Sequence, residues 1–381
     1  MLILIKGVQF INKGALLMLY AVLEQTRQQW PDAEIAVELN PNSPFLKRAQ
    51  LGLLQHMPLR FRQLDLNWLS YLLPEKLRAK LRFYLGIVFE ADIDLLLDAS
   101  GFAYGDQWPV ADLQRLCGQI HRLKAHGRKV VLLPQAFGPF GRAQDRQLIR
   151  RHFGKVDLIC ARDQASERFL TEIGAGAKNI RQYPDFTISL QGTDCDDAQY
   201  VLQKPAVIIP NYQMLRAGSA WQADYESTLE RIAQVLQRSG QMVVLINHEG
   251  LADMAICQRL AARLNPAPQI LQIEDPRLLK GYIKASSLVV SSRFHGCVSA
   301  LASGVPCIGT SWSHKYQALF DDFAAPDALL KPGSDEEMLQ AVIDYAFRVV
   351  TTAEYQQRIQ QLTEQNRLMW QQISSVFAGE M

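Results

Sequence analysis

The sequence predicts an α/β protein with two Rossmann-like domains, built on parallel sheets and facing each other across a cleft. Three observations carry this. The chain has 381 residues, and at roughly 100–200 residues per domain two domains are a more natural division than one. Short apolar runs alternate almost throughout with longer amphipathic segments, the pattern of parallel strands joined by crossover helices. A polar, turn-rich stretch, Gln191-Gly-Thr-Asp-Cys-Asp-Asp197 followed by Pro205, separates two such series. The expected division is residues 1–190, a linker at 191–205, a second domain at 206–345 and a helical tail at 346–381.

Taken in order, Leu2–Ile5 is a continuous apolar run that reads as a buried strand, and Gly14–Gln28 as the helix after it. Glu34–Glu38 alternates in character and reads as a second strand. Asp94–Leu97, Lys129–Leu133 and Asp157–Cys160 are further strands, interleaved with helical patterns at Val110–Ala125, Arg142–Phe153 and Gln164–Glu172. The second series has strands at Ala206–Ile209, Met242–Ile246, Leu288–Ser291 and Cys307–Gly309. Its helices are expected at Gln222–Arg238, Ala252–Leu264, Pro276–Ala285 and Gly296–Ser303. Asp275-Pro276 is a helix start, with Asp as N-cap and Pro in the first turn.

Composition excludes several classes. With 48% hydrophobic and 20% charged residues the chain is neither disordered, collagen-like nor a disulfide-stapled scaffold. Lys plus Arg is 40 against 38 for Asp plus Glu, a net charge of +2, so a nucleic-acid backbone is not the expected partner. The six cysteines form no C-x-x-C pair and read as small buried hydrophobes in a reducing compartment. The apolar run at the N-terminus is too short for a signal peptide, and no stretch approaches the ~20 apolar residues of a membrane span. The expected location is the cytoplasm.

Ligands of parallel α/β sheets bind beyond the carboxyl ends of the strands, so the strand-to-helix junctions hold the candidate chemistry. In Gly7-Val-Gln-Phe-Ile-Asn-Lys-Gly14 two glycines would let backbone approach a ligand beside a helix N-terminus; a plain tight turn is the alternative. Asp98-Ala-Ser-Gly-Phe-Ala-Tyr-Gly-Asp106 suits a sugar or another hydroxylated acceptor, or else is a loop held by Asp98 bonds to nearby N–H groups. Pro134-Gln-Ala-Phe-Gly-Pro-Phe-Gly141 takes a fixed, irregular path, with Gln135 toward the cleft. Asp163 reads as an N-cap, whereas Arg162 places a guanidinium where an anion would sit, with a surface salt bridge as its alternative.

The most informative segment begins at Leu288 and runs into Ser291-Ser292-Arg293-Phe294-His295-Gly296. A small-residue helix, Gly304-Val-Pro306 and a second buried strand follow, opening at Thr310-Ser-Trp-Ser-His314-Lys315. Two consecutive junctions thus set Arg293, His295, His314 and Lys315 at one edge of the sheet, a polyanion-binding arrangement together with the helix N-termini.

On these residues the chain resembles the polysaccharide pyruvyl transferases. Ser291-Ser-Arg293-Phe-His295-Gly296, then Gly304-Val-Pro306 and Lys315, match the family's S-x-R-x-H-G signature and its sequel in order. Asn12-Lys-Gly14, Gly101, Pro134-Gln135-Ala-Phe-Gly138-Pro139, Arg162-Asp163-Gln-Ala-Ser166 and Pro184-Asp185 resemble further family junctions, with Ala15, Ala99 and Pro134 as departures. The resemblance implies a GT-B-type arrangement and transfer of the enolpyruvyl unit of phosphoenolpyruvate onto sugar hydroxyls, as a pyruvate ketal on a polysaccharide or its lipid-linked precursor. It implies His295 and Arg293 as catalytic residues, His295 acting as the acid at C3. Arg162, Ser292, Gly296, His314 and Lys315 are the expected donor-binding residues, and Asn12, Gly14, Gly101, Asp106 and Gln135 the expected acceptor-binding ones. No metal and no cofactor is expected, phosphoenolpyruvate being the donor substrate.

A basic segment stands apart from that resemblance. Between residues 45 and 89 eight Lys and Arg (Lys47, Arg48, Arg60, Arg62, Lys76, Arg78, Lys80, Arg82) face only Asp65 and Glu75, with Trp68, Tyr71, Phe83, Tyr84 and many leucines interleaved. This is the composition of a peripheral membrane contact, at the inner face for a cytoplasmic enzyme with a lipid-linked acceptor; an ordinary helical segment burying its leucines is the alternative. Two other functions share the architecture: a glycosyltransferase using a nucleotide sugar, and a non-catalytic glycan- or anion-binding protein of polysaccharide assembly.

Overall fold

The structure is a computed structural model and describes residues 1–379 except 63, 177, 312 and 314. It divides into two compact units, one of Met1–Ile11, Met18–Phe186 and Gln365–Met381, the other of Asn12–Leu17 with Thr187–Glu364.

The first unit opens with β1 (Leu2–Lys6), α1 (Lys13–Gln29) from Met18 onward, β2 (Glu34–Glu38), α2 (Phe45–Gln50) and β3 (Leu54–His56). A two-stranded antiparallel ribbon, β4 (Arg60–Phe61) with β5 (Leu64–Asp65), precedes α3 (Glu75–Leu85) and β6 (Ile87–Val88). The series then runs β7 (Leu95–Asp98), α4 (Val110–Ala125), β8 (Lys129–Gln135), α5 (Ala143–His152), β9 (Leu158–Ala161), α6 (Gln164–Ile173) and β10 (Ile180–Gln182). Eight strands form a parallel sheet in the order β10-β9-β8-β7-β1-β2-β3-β6. Ile3 is paired with both Ile35 and Leu95 in the sheet centre. Polar residues enter where the strands end, with Lys6 opposite Asp98 and Glu38 opposite His56. Apolar strand bodies bury both faces of a parallel sheet, and the carboxyl edge is left to chemistry.

His56 shows what that edge costs. It is buried, and neither ring nitrogen has a hydrogen-bond partner among the described residues. Burial pushes its imidazole down to about 4, Glu38 pulling the other way and Lys6 and Arg60 reinforcing the drop. The unfolded chain takes up this proton near 6.5 and the folded one only near 4, so stability present above 6.5 is lost as the pH falls through that window. The expected loss is up to about 3 kcal/mol. Urea midpoints for the parent and His56→Gln at about pH 7 and about pH 4.5 check it: the parent should lose more than the variant, and equal losses would refute the assignment.

Within the basic segment, α3 does not bury its leucines as an ordinary helix would, for it has no buried residue. Three of its eight cations are occupied: Arg48 is buried and bonds the Ser43 carbonyl, Arg78 pairs with Asp92 at 2.7 Å, and Arg82 pairs with Glu34.

The second unit runs through α7 (Ala198–Gln203), β11 (Ala206–Ile209), α8 (Tyr225–Arg238), β12 (Val243–Ile246), α9 (Gly250–Arg263), β13 (Gln269–Leu271) and α10 (Pro276–Lys284). It continues with β14 (Leu288–Ser291), α11 (Phe294–Ala302), β15 (Cys307–Thr310), α12 (Lys315–Asp322), β16 (Leu329–Leu330), α13 (Glu336–Val349) and α14 (Ala353–Ala378). Its six strands are parallel in the order β13-β12-β11-β14-β15-β16. The strand order reverses between β11 and β14, the place where such sheets open a crevice. As expected, Asp275 caps α10 by accepting from the Arg277 N–H at 2.8 Å, with Pro276 in the first turn.

Two boundaries differ from the expected division. The stretch 191–205 is a packed part of the second unit: Tyr200 is buried with its hydroxyl 2.9 Å from Ser286 Oγ, and Thr193 donates its N–H to the Arg277 carbonyl. Nor is the tail from 346 a separate element. Tyr355 of α14 donates to the Leu301 carbonyl within the second unit, whereas Asn366 bonds the Asp185 carbonyl and Gln372 accepts from Tyr183 within the first.

Candidate functional site

The second unit gathers its polar side chains at the junction after β14. Arg293 is extended and begins α11, with Phe294, His295 and Gly296 forming the first turn. Ser291 fixes this corner, its hydroxyl accepting the Arg293 N–H at 3.1 Å and donating to the Arg293 carbonyl at 2.9 Å. A Cβ on Gly296 would lie 2.4 Å from that hydroxyl, so only glycine lets the helix start so close to the strand.

Arg293 is not the unopposed cation that the sequence suggests. Its Nε donates to Asp253 at 2.9 Å, Nη2 to the same carboxylate and Nη1 to Glu249. The two acids differ. The Asp253 side chain is 0% exposed and also accepts the Tyr212 N–H, while Glu249 is 27% exposed and accepts both its oxygens' bonds from the Asn12 amide at 3.0 Å. Burial pushes the Asp253 carboxyl up, with Arg293 opposing. Asp253 thus grips the guanidinium from the interior, and Glu249 covers it from the more open side.

The first turn of α1 belongs to this cluster. Asn12 caps that helix, its Oδ1 accepting the Ala15 N–H at 3.0 Å. Lys13 is buried and donates to the His248 and Asn247 carbonyls at 2.8 and 3.5 Å. Burial lowers its ammonium pKa, with Glu274 and Glu249 opposing. His248 is buried too, and burial, Arg293, Lys13 and His295 hold it neutral. Gly14 lies against His295: a Cβ there would fall 2.4 Å from the imidazole Nδ1.

The expected catalytic residues Arg293 and His295 lie in this unit, as do the expected donor-binding residues Ser292, Gly296 and Lys315. Lys315 opens α12, its ammonium 5.1 Å from the Phe294 ring centroid and 5.7 Å from that of Tyr316. Ser292 does not fit a donor contact. It is 0% exposed, with its hydroxyl 2.5 Å from that of Tyr225 and accepting from Thr310, and its carbonyl accepts from Asn211 and Tyr316. Gly296 serves the close packing described above. His314 lies outside the described residues. Asn12 and Gly14, expected at the acceptor, stand beside Arg293 and His295.

The other expected residues belong to the first unit. Arg162 is buried in an ion pair with Asp185 at 3.3 Å, rather than in a surface salt bridge. Gln135 is 0% exposed, and its side-chain oxygen and nitrogen have no partner among the described residues. Gly101 turns the chain at φ +69°. Asp106 holds the neighbouring loop by accepting the Gly141 and Arg142 N–H groups at 2.7 and 3.3 Å. Asp163 is the expected N-cap, accepting the Ser166 N–H at 2.7 Å.

Sequence reasoning missed Lys13, His248, Glu249 and Asp253. A signal existed, since Asn247-His-Glu249 directly follows a buried strand and is itself a strand-to-helix junction.

A family model described as polysaccharide pyruvyl transferase matches residues 12–314, a span that contains Asn12, Lys13, Gly14, His248, Glu249, Asp253, Arg293 and His295 and ends one residue before Lys315. No curated protein matches the chain in sequence. Solved structures similar in fold include a putative UDP-N-acetylglucosamine 2-epimerase from Listeria monocytogenes. It has a TM-score of 0.63 at 11% identity, over 99% of this chain and 97% of that one. HepE from Anabaena, in complex with UDP, has a TM-score of 0.58 at 14% identity, over 98% and 100% of the two chains. The UDP-GlcNAc 2-epimerase of Neisseria meningitidis bound to UDP-GlcNAc has 0.58 at 9% identity, over 98% and 99%. At such identities the likeness is one of fold, the GT-B arrangement of two parallel α/β units.

Proposed function

Because the chain belongs to the polysaccharide pyruvyl transferase family, we propose that it moves the enolpyruvyl unit of phosphoenolpyruvate onto two hydroxyls of a sugar, forming a pyruvate ketal and releasing phosphate. One observation carries the reading: Arg293 and His295 occupy the start and first turn of α11, a cation and an acid–base group held at a helix N-terminus. Phosphoenolpyruvate is a compact anion with a phosphate and a carboxylate. A guanidinium offers either one a bidentate grip, and the helix N-terminus favours negative charge beside it.

The chemistry balances with this chain's own groups. His295 delivers a proton to C3, turning the methylene into a methyl as C2 becomes cationic, and a sugar hydroxyl adds to C2 as its proton passes to the imidazole that has just given one up. The C2–O bond to phosphate then breaks, phosphate leaves with both electrons, and the second hydroxyl closes the ketal as its proton passes to the departing phosphate. Arg293 steadies the charge that grows on that leaving group. For the donor anion to reach Nη1 it must compete with the Glu249 carboxylate, while Asp253 keeps the guanidinium aimed. Lys315 adds a second cation on the same helix-start face. No cofactor is required by this scheme.

The acceptor is a sugar of a polysaccharide or of its lipid-linked precursor. Incubation with phosphoenolpyruvate and candidate saccharides should release phosphate together with an acid-labile ketal on the sugar. Nucleotide-sugar turnover without phosphate release would replace this reading with glycosyl transfer, and turnover of neither would leave a binding protein.

A further inference from the structure

We propose that the outward face of α3, together with the exposed β4–β5 ribbon that precedes it in the chain, docks onto an anionic lipid bilayer. The surface lies wholly in the first unit, and its argument needs no assumption about the reaction.

The first observation is where apolar surface is left open. Of nineteen exposed large hydrophobic side chains among the described residues, ten fall between Phe45 and Leu85. Scattered singly such residues mean little, but a concentration of them marks an interaction site. Phe83 and Tyr84 are 81% and 76% exposed, Leu72 70%, and Leu64 and Phe61 of the ribbon 63% and 61%. Within α3, residues three and four apart share a face, so Lys76, Lys80, Phe83 and Tyr84 form one stripe. Arg78, Leu81 and Arg82 are the less exposed side of that helix.

The second observation is charge. Arg48, Arg78 and Arg82 are held by protein groups, but Lys47, Arg60, Arg62, Lys76 and Lys80 are exposed and form no ion pair among the described residues. Of the two acids in the segment, Asp65 is bound by Asn67 and Arg122, which leaves Glu75 as the one exposed countercharge. Five open cations interleaved with exposed Phe, Tyr and Leu match an interfacial surface, the rings entering the headgroup layer and the ammonium and guanidinium groups meeting lipid phosphates.

Charge also selects among occupants. A second copy of this chain would set the five cations against themselves, which an isologous contact does not favour. A nucleic-acid backbone would satisfy the cations but leave the rings and leucines in water. No helix among the described residues is long and apolar enough to cross a membrane, so the contact proposed is interfacial.

Sedimentation of the full chain with phosphatidylcholine vesicles, with and without phosphatidylglycerol, tests this. Binding is expected only with phosphatidylglycerol and should weaken as salt rises. The combined Arg60→Glu, Arg62→Glu, Lys76→Glu and Lys80→Glu variant should lose at least about a hundredfold in vesicle affinity. Phe83→Ser with Tyr84→Ser, which keeps every charge, should lose about tenfold or more. All substituted side chains are exposed, and an unchanged circular dichroism spectrum checks the fold. The proposal is overturned by absence of binding to anionic vesicles, by undiminished binding of the charge-reversed variant, or by a solution dimer that Phe83→Ser dissociates. The assay reads no turnover, so its failure leaves pyruvyl transfer standing, and failure of the ketal assay leaves the membrane surface standing.

Discussion

Arg293→Ala is expected to cost stability as well as turnover, and the two losses should separate. Removing the guanidinium strips Asp253, fully buried, of its ionic partner and leaves, among the described residues, only the Tyr212 N–H to offset its charge. Breaking a buried pair by deleting one side typically costs about 3–5 kcal/mol, and the lower figure suits a site whose second acid, Glu249, is partly open to water. Adding Asp253→Asn removes the stranded charge, so the double variant should recover most of the lost stability and none of the turnover. If stability returned together with activity, Arg293 would have no direct part in the reaction.

The pH dependence gives the same prediction a second reading. With Arg293 gone, burial and the nearby Glu249 charge act on the Asp253 carboxyl against the Tyr212 N–H, raising further a group that burial already pushes up in the parent. A carboxyl raised by folding is most favourable to the fold while protonated, and its contribution is lost as the pH rises from its unfolded value through its folded one. The gap in melting temperature between Arg293→Ala and the parent should therefore be small near about pH 4 and full by about pH 7. A gap that does not change with pH would place the damage elsewhere.

Why Asp253 and Glu249 were invisible in the sequence follows from the topology. They sit 40 and 44 residues before Arg293, Asp253 in the first turn of the helix that follows β12 and Glu249 at its N-cap. Only the order β12-β11-β14 brings that helix start to the α11 junction. Asn12 and Lys13, more than 230 residues from their partners, depend on the same three-dimensional assembly. Arg293 and His295 were legible because their strand, turn and helix are contiguous: Leu288–Ser291 was expected as a strand to the residue, and the small-residue helix follows at once. Long apolar strands such as Ala206–Ile209 announce themselves by burial on both faces. Ile87–Val88 and Leu329–Leu330 have two residues each, too few for any period to register, and Leu54–His56 ends in a polar pair that reads as loop. The basic segment was legible as composition alone; only burial could show which of its cations are occupied.

Gly14→Ala should behave as a catalytic variant although it changes no reacting group. In a helix interior alanine is worth up to about 1 kcal/mol over glycine, so propensity alone would favour the substitution in the first turn of α1. What opposes it is the His295 imidazole, 2.4 Å from where the new methyl would sit at Nδ1 and 3.2 Å at Cε1. A contact that short cannot stand, and the ring moves before the helix backbone does, because Asn12 and Lys13 tie that turn to Glu249 and the His248 carbonyl. A shift of about 1 Å in a proton donor typically costs about a hundredfold in rate. The expected result is a roughly hundredfold fall in kcat with a melting temperature close to the parent's, against a deeper fall, to a low residual rate, in His295→Ala. The decisive comparison is the double variant. Without the imidazole there is nothing for the methyl to displace, so Gly14→Ala in the His295→Ala background should lower activity no further and should raise stability by its helix propensity. An additive loss of activity would mean that Gly14 acts on the ligand through its own backbone, and the close approach to His295 would then be incidental to catalysis.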